Sequence, residues 1–174
     1  FYAFPGLLFY IILMVTLRDT AVGRLMNGLF LLFVALAIVN WVGVARLVRG
    51  SVLAMKEKEF VEAARCIGVS DTRIMARHIL PNAIGPIVVE STLEIGYAIM
   101  QEAGLSFLGF GIQPPTPSWG NLLSNAQEHI AKHPWLPIFP GVMIFLTIIT
   151  VNYIGDGLRD AFDPRKVYKK TGKT

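Results

Sequence analysis

Glu90, Glu94, Tyr97 and Gln101 stand at i, i+4, i+7 and i+11 in an otherwise apolar stretch. In a helix this spacing puts all four on one face. Two carboxylates on such a face can attract cations, accept hydrogen bonds from a polar solute, or relay protons. If the stretch crosses a bilayer they cannot face lipid, because an acid near the midplane costs on the order of 2.5–3.5 kcal/mol. The face then points into a bundle or a wet cavity, serving either as an interhelical hydrogen-bond network or as the lining of a path for cationic or zwitterionic cargo. Other residues offer less. His129 and His133 have the i, i+4 spacing of helical metal ligands, but no acid lies between them in the metalloprotease position and His133 abuts Pro134. Two exposed histidines are expected, with no metal site. The single cysteine, Cys66, excludes an internal disulfide framework and reads as a small packing residue. Gly172-Lys173-Thr174 resembles the end of a phosphate-binding loop, but Val167 occupies the place of its first glycine. No catalytic constellation of serine, histidine, aspartate or cysteine can be assembled.

The elements that carry these residues follow from composition. Hydrophobic residues make up 53% of the 174, and charged residues only 16%, against roughly 25% in an average soluble domain. Mean hydropathy is +0.54 and the net charge is +4. A soluble chain this small has too little interior to hide so much apolar surface, and disorder requires the opposite balance. Basic residues separated by apolar blocks also argue against a nucleic-acid-binding face. The expectation is an all-α, polytopic membrane bundle.

Four spans are expected, over about 1–17, 25–45, 83–108 and 134–155. The acidic segment is the least obvious of them, since Glu90, Glu94 and Glu102 depress its hydropathy. Phe1 opens on apolar sequence with no basic flank or cleavage site, so a signal peptide is a poor reading; the chain is expected to begin inside a longer protein. Seven of the sixteen Lys/Arg lie between Arg46 and Arg77, and six between Arg159 and Lys173. That asymmetry places the loop 46–82 and the tail 156–174 in the cytoplasm, and the loop 109–133 outside. Trp119, Trp135 and Tyr153 are candidate interfacial anchors.

The cytoplasmic loop is too long for a plain connector. Phe60, Ala63, Ala64 and Ile67 form an expected apolar stripe on a short helix, Gly68 a left-handed terminus, and Ser70 the cap of a second helix that Pro81 should end. Such a hairpin either packs on its own bundle or docks a soluble partner.

Glu62-Ala63-Ala64, then Gly68, then Ile79-Leu80-Pro81 resembles the EAA loop of permease subunits of bacterial ABC importers. The phrases WVGVARLVRG, RHILPNAIGPIVV, LSFLGFGIQPPTPSWG and GDGLRDAFDPR are similar to the dipeptide, oligopeptide and nickel branch, so the resemblance covers essentially the whole chain. His78 departs from it, standing where many such loops have isoleucine. The resemblance implies that Glu62, Ala63, Ala64, Gly68, Leu80 and Pro81 belong to a coupling hairpin seated on a cytoplasmic ATPase. It also implies a second, related permease, two ATPase subunits that bind ATP and Mg, and an extracytoplasmic solute-binding protein. Trp119 of the external loop is then a candidate contact for that binding protein. On this reading the chain is no enzyme and holds no cofactor. It is a multi-pass subunit of a bacterial or archaeal plasma membrane, and its cargo is a di- or oligopeptide. A nickel-complex permease is the alternative cargo reading. An ion-coupled secondary transporter, with Glu90 and Glu94 relaying protons, is a lesser rival that leaves the hairpin unexplained.

Overall fold

A computed structural model describes residues 5–162. The basic cluster from Arg165 to Lys173 and the terminal Gly-Lys-Thr lie outside the described residues. Among the described residues every regular element is helical: α1 Gly6–Leu17, α2 Ala21–Arg24, α3 Leu29–Lys56, α4 Glu59–Cys66, α5 Asp71–Ile74, α6 Leu80–Phe107, α7 Trp119–His129 and α8 Ile138–Phe162. Among the described residues three stretches are long and apolar enough to cross a membrane, Ala21–Lys56, Asp71–Phe107 and Ile138–Phe162. Where a fourth span was expected, α1 has 12 residues, short of the roughly 20 that the hydrocarbon thickness requires.

Three helix boundaries depart from expectation. The regular helix expected from residue 25 begins at Leu29, because Met26 and Asn27 adopt left-handed φ of 51° and 55° and kink the chain before α3. At its other end α3 continues through Arg46 and Arg49 to Lys56, so much of the expected loop is helix. Arginine and lysine are good helix formers, and no proline intervenes. Pro81 likewise fails to stop its helix. Met75–Ile79 forms a wider π turn that joins α5 to α6, with the Leu80 N–H donating to the Met75 carbonyl five residues back. A proline ring in a regular helix collides with the carbonyl four residues before it; the wider turn makes room. Asn82 also donates its side-chain amide to the His78 carbonyl at 2.6 Å.

The chain packs as two units. One comprises residues 1–41 and 94–151. Its core joins Tyr10 and Met14 of α1, Leu31, Leu32, Ala35 and Leu36 of α3, Leu105 of α6, and Ile112 beyond it. The Tyr10 hydroxyl donates to Asn40 at 2.8 Å, so the one polar tip in this core is satisfied.

The other unit comprises residues 42–93 and 152–174, described as far as 162. Val61 and Ala64 of α4 pack on Ile74 and Ile79, with Val52, Met55 and Val69 around them. In the same unit, small residues let two helices approach closely. A Cβ on Gly85 would lie 3.0 Å from Phe162, and one on Gly155 would lie 3.4 Å from Thr92.

Candidate functional site

Helix α4 ends in a Schellman motif. Gly68 takes a φ of 79°, which a side chain resists. Its N–H donates to Arg65 at 2.9 Å and that of Val69 to Ala64 at 3.1 Å. Ser70 occupies the cap position of α5, yet its hydroxyl makes no capping bond. Arg65 and Asp71 pair across the turn at 3.5 Å, both exposed, which adds little stability.

The expected apolar stripe is corrected here. Val61 and Ala64 are the buried residues of α4, while Phe60, Ala63 and Ile67 are exposed, Ile67 by 80%. The helix follows Val61 because α4 lies against α5 and the π turn, a direction that spacing along α4 alone does not specify. Glu62 is exposed, and Leu80 and Pro81 are exposed at the start of α6. The exposed side of the hairpin therefore presents Phe60, Ala63 and Ile67 together with the charged Glu59, Glu62 and Arg65.

The loop after α6 is a second built feature. Gly109 takes a φ of 81°, and the N–H groups of Gly109 and Phe110 close α6 on Ser106 and Leu105 at 3.0 and 2.8 Å. Ser106, 1% exposed, donates its hydroxyl to Glu102 at 2.7 Å and accepts the Ile112 N–H at 3.1 Å. Asn121 donates its amide to the Ile112 carbonyl at 2.9 Å, and its own N–H is capped by Ser118 at 3.1 Å, as expected for the start of α7. Asn27 donates to the Thr116 hydroxyl at 2.8 Å, and Arg18 donates to the Gln113 side chain. Hydrogen bonds thus tie the proline-rich loop both to the end of α6 and to the turn before α3. Trp119, partly buried, borders a shallow recess with Glu102, Ile112, Pro117, Ser118 and Leu122.

Replacing Ser106 by alanine is expected to cost about 2 kcal/mol, because the buried Ile112 N–H loses its acceptor. Thermal unfolding of the detergent-purified protein measures this; an unchanged midpoint would show that the Glu102–Ser106–Ile112 chain does not hold the loop.

The four polar residues of α6 keep a common face but have different surroundings. Glu94 is half-buried in the unit that contains α1. Tyr97 is 64% exposed, and the Gln101 side-chain oxygen is enclosed without a hydrogen-bond partner among the described residues. Glu90 belongs to the other unit. There it borders a cleft of about 600 Å³ with Leu47 of α3, Asn82 and Pro86 of α6, and Arg159 of α8. His129 and His133 are both exposed; His129 Nδ1 lies 3.1 Å from the Asn125 carbonyl oxygen and the His133 ring packs edge-on to Trp135. No cluster of three metal-ligating side chains occurs among the described residues.

A family model described as binding-protein-dependent transport system inner membrane component matches residues 1–168. The chain belongs to that family. It is 46% identical over 164 residues to the glutathione transport system permease protein GsiD of Salmonella typhimurium, covering 94% of this chain and 52% of that protein. The GsiD of Escherichia coli strain UTI89 is 45% identical over 164 residues, with the same 94% and 52% covered. The oligopeptide transport system permease protein OppC of Haemophilus influenzae is 45% identical over 163 residues, covering 94% and 50%. The chain spans about half the length of the curated relatives it matches.

For this inner membrane component, sequence reasoning missed several residues that the structure brings together. Arg159, in the sequence only one of a cluster of basic residues, borders the same cleft as Glu90. Asn27, Ser106 and Asn121 lie in uncharged phrases and carry no spacing signal. The one available cue was the density of glycine and proline in residues 109–120, which marks irregular backbone whose polar groups need side-chain partners.

Proposed function

We propose that this chain is part of a permease subunit of an ATP-driven importer of peptide cargo. The outward surface of the α4 hairpin carries the reading. Val61 and Ala64 hold the hairpin to its own unit, leaving Phe60, Glu62, Ala63 and Ile67 free for a partner. Small side chains permit close approach, and Glu62 offers a charge-assisted hydrogen bond. In this reading the partner is a cytoplasmic ATPase, which binds ATP and Mg and moves the hairpin with its nucleotide cycle. The hairpin and the C-terminal tail then face the cytoplasm, and α1 belongs to a fourth span. The positive-inside asymmetry supports that orientation. GsiD and OppC are named for glutathione and oligopeptides, both peptides, which supports a peptide cargo here.

The complete transporter adds a second related permease, two ATPase subunits and an extracytoplasmic solute-binding protein. The loop tied down through Ser106 and Asn121 is the candidate face for the binding protein, with Trp119 at its edge. Glu90, Glu94, Tyr97 and Gln101 are the candidate lining of the path, and no covalent chemistry is assigned to this chain. Purification of the full-length permease from membranes is expected to bring an ATPase with it. Glu62→Lys is expected to reduce that recovery by about tenfold or more, since reversing a charge at a close interface costs a few kcal/mol. Undiminished recovery removes the hairpin from the contact.

A further inference from the structure

The cleft in the unit formed by residues 42–93 and 152–162 is unlike an ordinary packing gap. It has a volume of about 600 Å³, within the range of small-ligand sites. Three helices border it: α3 through Leu47, α6 through Pro81, Asn82, Pro86 and Glu90, and α8 through Arg159. Its walls are mainly apolar, with one acid and one base facing the same space. Glu90 and Arg159 make no ion pair with each other, and neither has an ion-pair partner among the described residues. Pro86 lacks an N–H, so it withdraws the regular helical partner from the Asn82 carbonyl, which belongs to a residue bordering the cleft. Glu90 is half-buried and Arg159 exposed, so two opposite charges border one cleft without being paired to each other, and both remain able to meet a ligand of complementary charge.

We infer that this cleft is a station for a zwitterionic peptide, with Glu90 receiving the terminal ammonium and Arg159 the terminal carboxylate. The inference rests on the importer reading and specifies which groups of the cargo this part of the chain meets. The arginine fork can hold a carboxylate through two parallel hydrogen bonds, whereas Glu90 can accept from any N–H donor. The apolar walls tolerate varied side chains, and the termini are the features that all short peptides share.

The test uses the complete transporter in proteoliposomes, with its ATPases and binding protein. Three short peptides serve as probes: one with free termini, one N-acetylated and one C-amidated, chosen to load the binding protein equally. Glu90→Gln is expected to slow uptake of the free peptide about tenfold or more and leave the N-acetylated peptide at its wild-type rate. Arg159→Gln is expected to spare only the C-amidated peptide, and Arg159→Lys to restore most of the free-peptide rate. Membrane abundance and binding-protein-stimulated ATPase activity report folding. Equal loss for all three peptides indicates a structural role and overturns the inference, as does no loss for any. A wild-type complex that moves no peptide under ATP overturns the importer reading itself.

Discussion

Gly120→Ala is expected to prevent stable assembly of the unit that holds the proline-rich loop. A Cβ at this position would lie 2.3 Å from the Ala103 carbonyl oxygen and 2.7 Å from the Ser106 Cβ. Both neighbours sit in a regular stretch of α6, and Ala103 contributes backbone, so no side-chain rotation relieves the overlap. Overpacking of this kind costs about 3 kcal/mol or more when backbone must move. Because Gly120 lies in the first turn of α7, the shift would also strain the Ser118 cap and the Asn121 bond to Ile112. The expected result is a marked loss of purified protein and a melting point lowered by several degrees. Gly141→Ala is the control: nothing lies within 4 Å of its Cβ position in α8, and alanine is the better helix former. Equal behaviour of the two variants would show that α7 does not press on α6 as closely as described.

The second large effect separates stability from transport. Ala63 is exposed on α4, one residue from the buried Ala64. Ala63→Trp adds bulk on the outward surface without entering the Val61–Ile74–Ile79 core, so the unfolding free energy of the isolated permease is expected to stay within about 0.5 kcal/mol of wild type. If an ATPase seats on that surface, an indole has no space there. ATP-driven uptake is then expected to fall by about a hundredfold, as for a displaced interface anchor. Val61→Ala has the opposite signature, because it leaves a cavity in a side chain that is 0% exposed and weakens folding by about 1–3 kcal/mol. A bulky residue at 63 that leaves uptake intact would move the coupling contact elsewhere.

The hairpin shows how far a single sequence can be read. Gly68 and its flanking helices were legible, because a left-handed helix terminus has a local cause: the absence of a Cβ at one residue. Which face of α4 turns inward was not legible. Phe60, Ala63, Ala64 and Ile67 satisfy helical spacing as well as Val61 and Ala64 do, and only the position of α5 and the π turn decides between them. Pro81 misled for a related reason. A proline disfavours the regular helix, but a wider turn just before it restores continuity, and nothing in the residues themselves announces that turn.

The same division holds for the polar residues. Composition and charge distribution were enough to establish a helical membrane chain, since burial of apolar surface and the cost of moving basic residues across a bilayer are properties of the residues alone. The EAA-type phrase and its neighbours were enough to point to the transport family. The grouping of Glu90 with Arg159 and the bracing of residues 109–120 by Ser106, Asn27 and Asn121 emerged only from the folded chain. Arg159 and Asn27 lie tens of positions from the groups they meet, Ser106 and Asn121 only six to nine from Ile112, and in each case the meeting depends on how the helices pack and where the backbone turns leave carbonyls and N–H groups in need of partners.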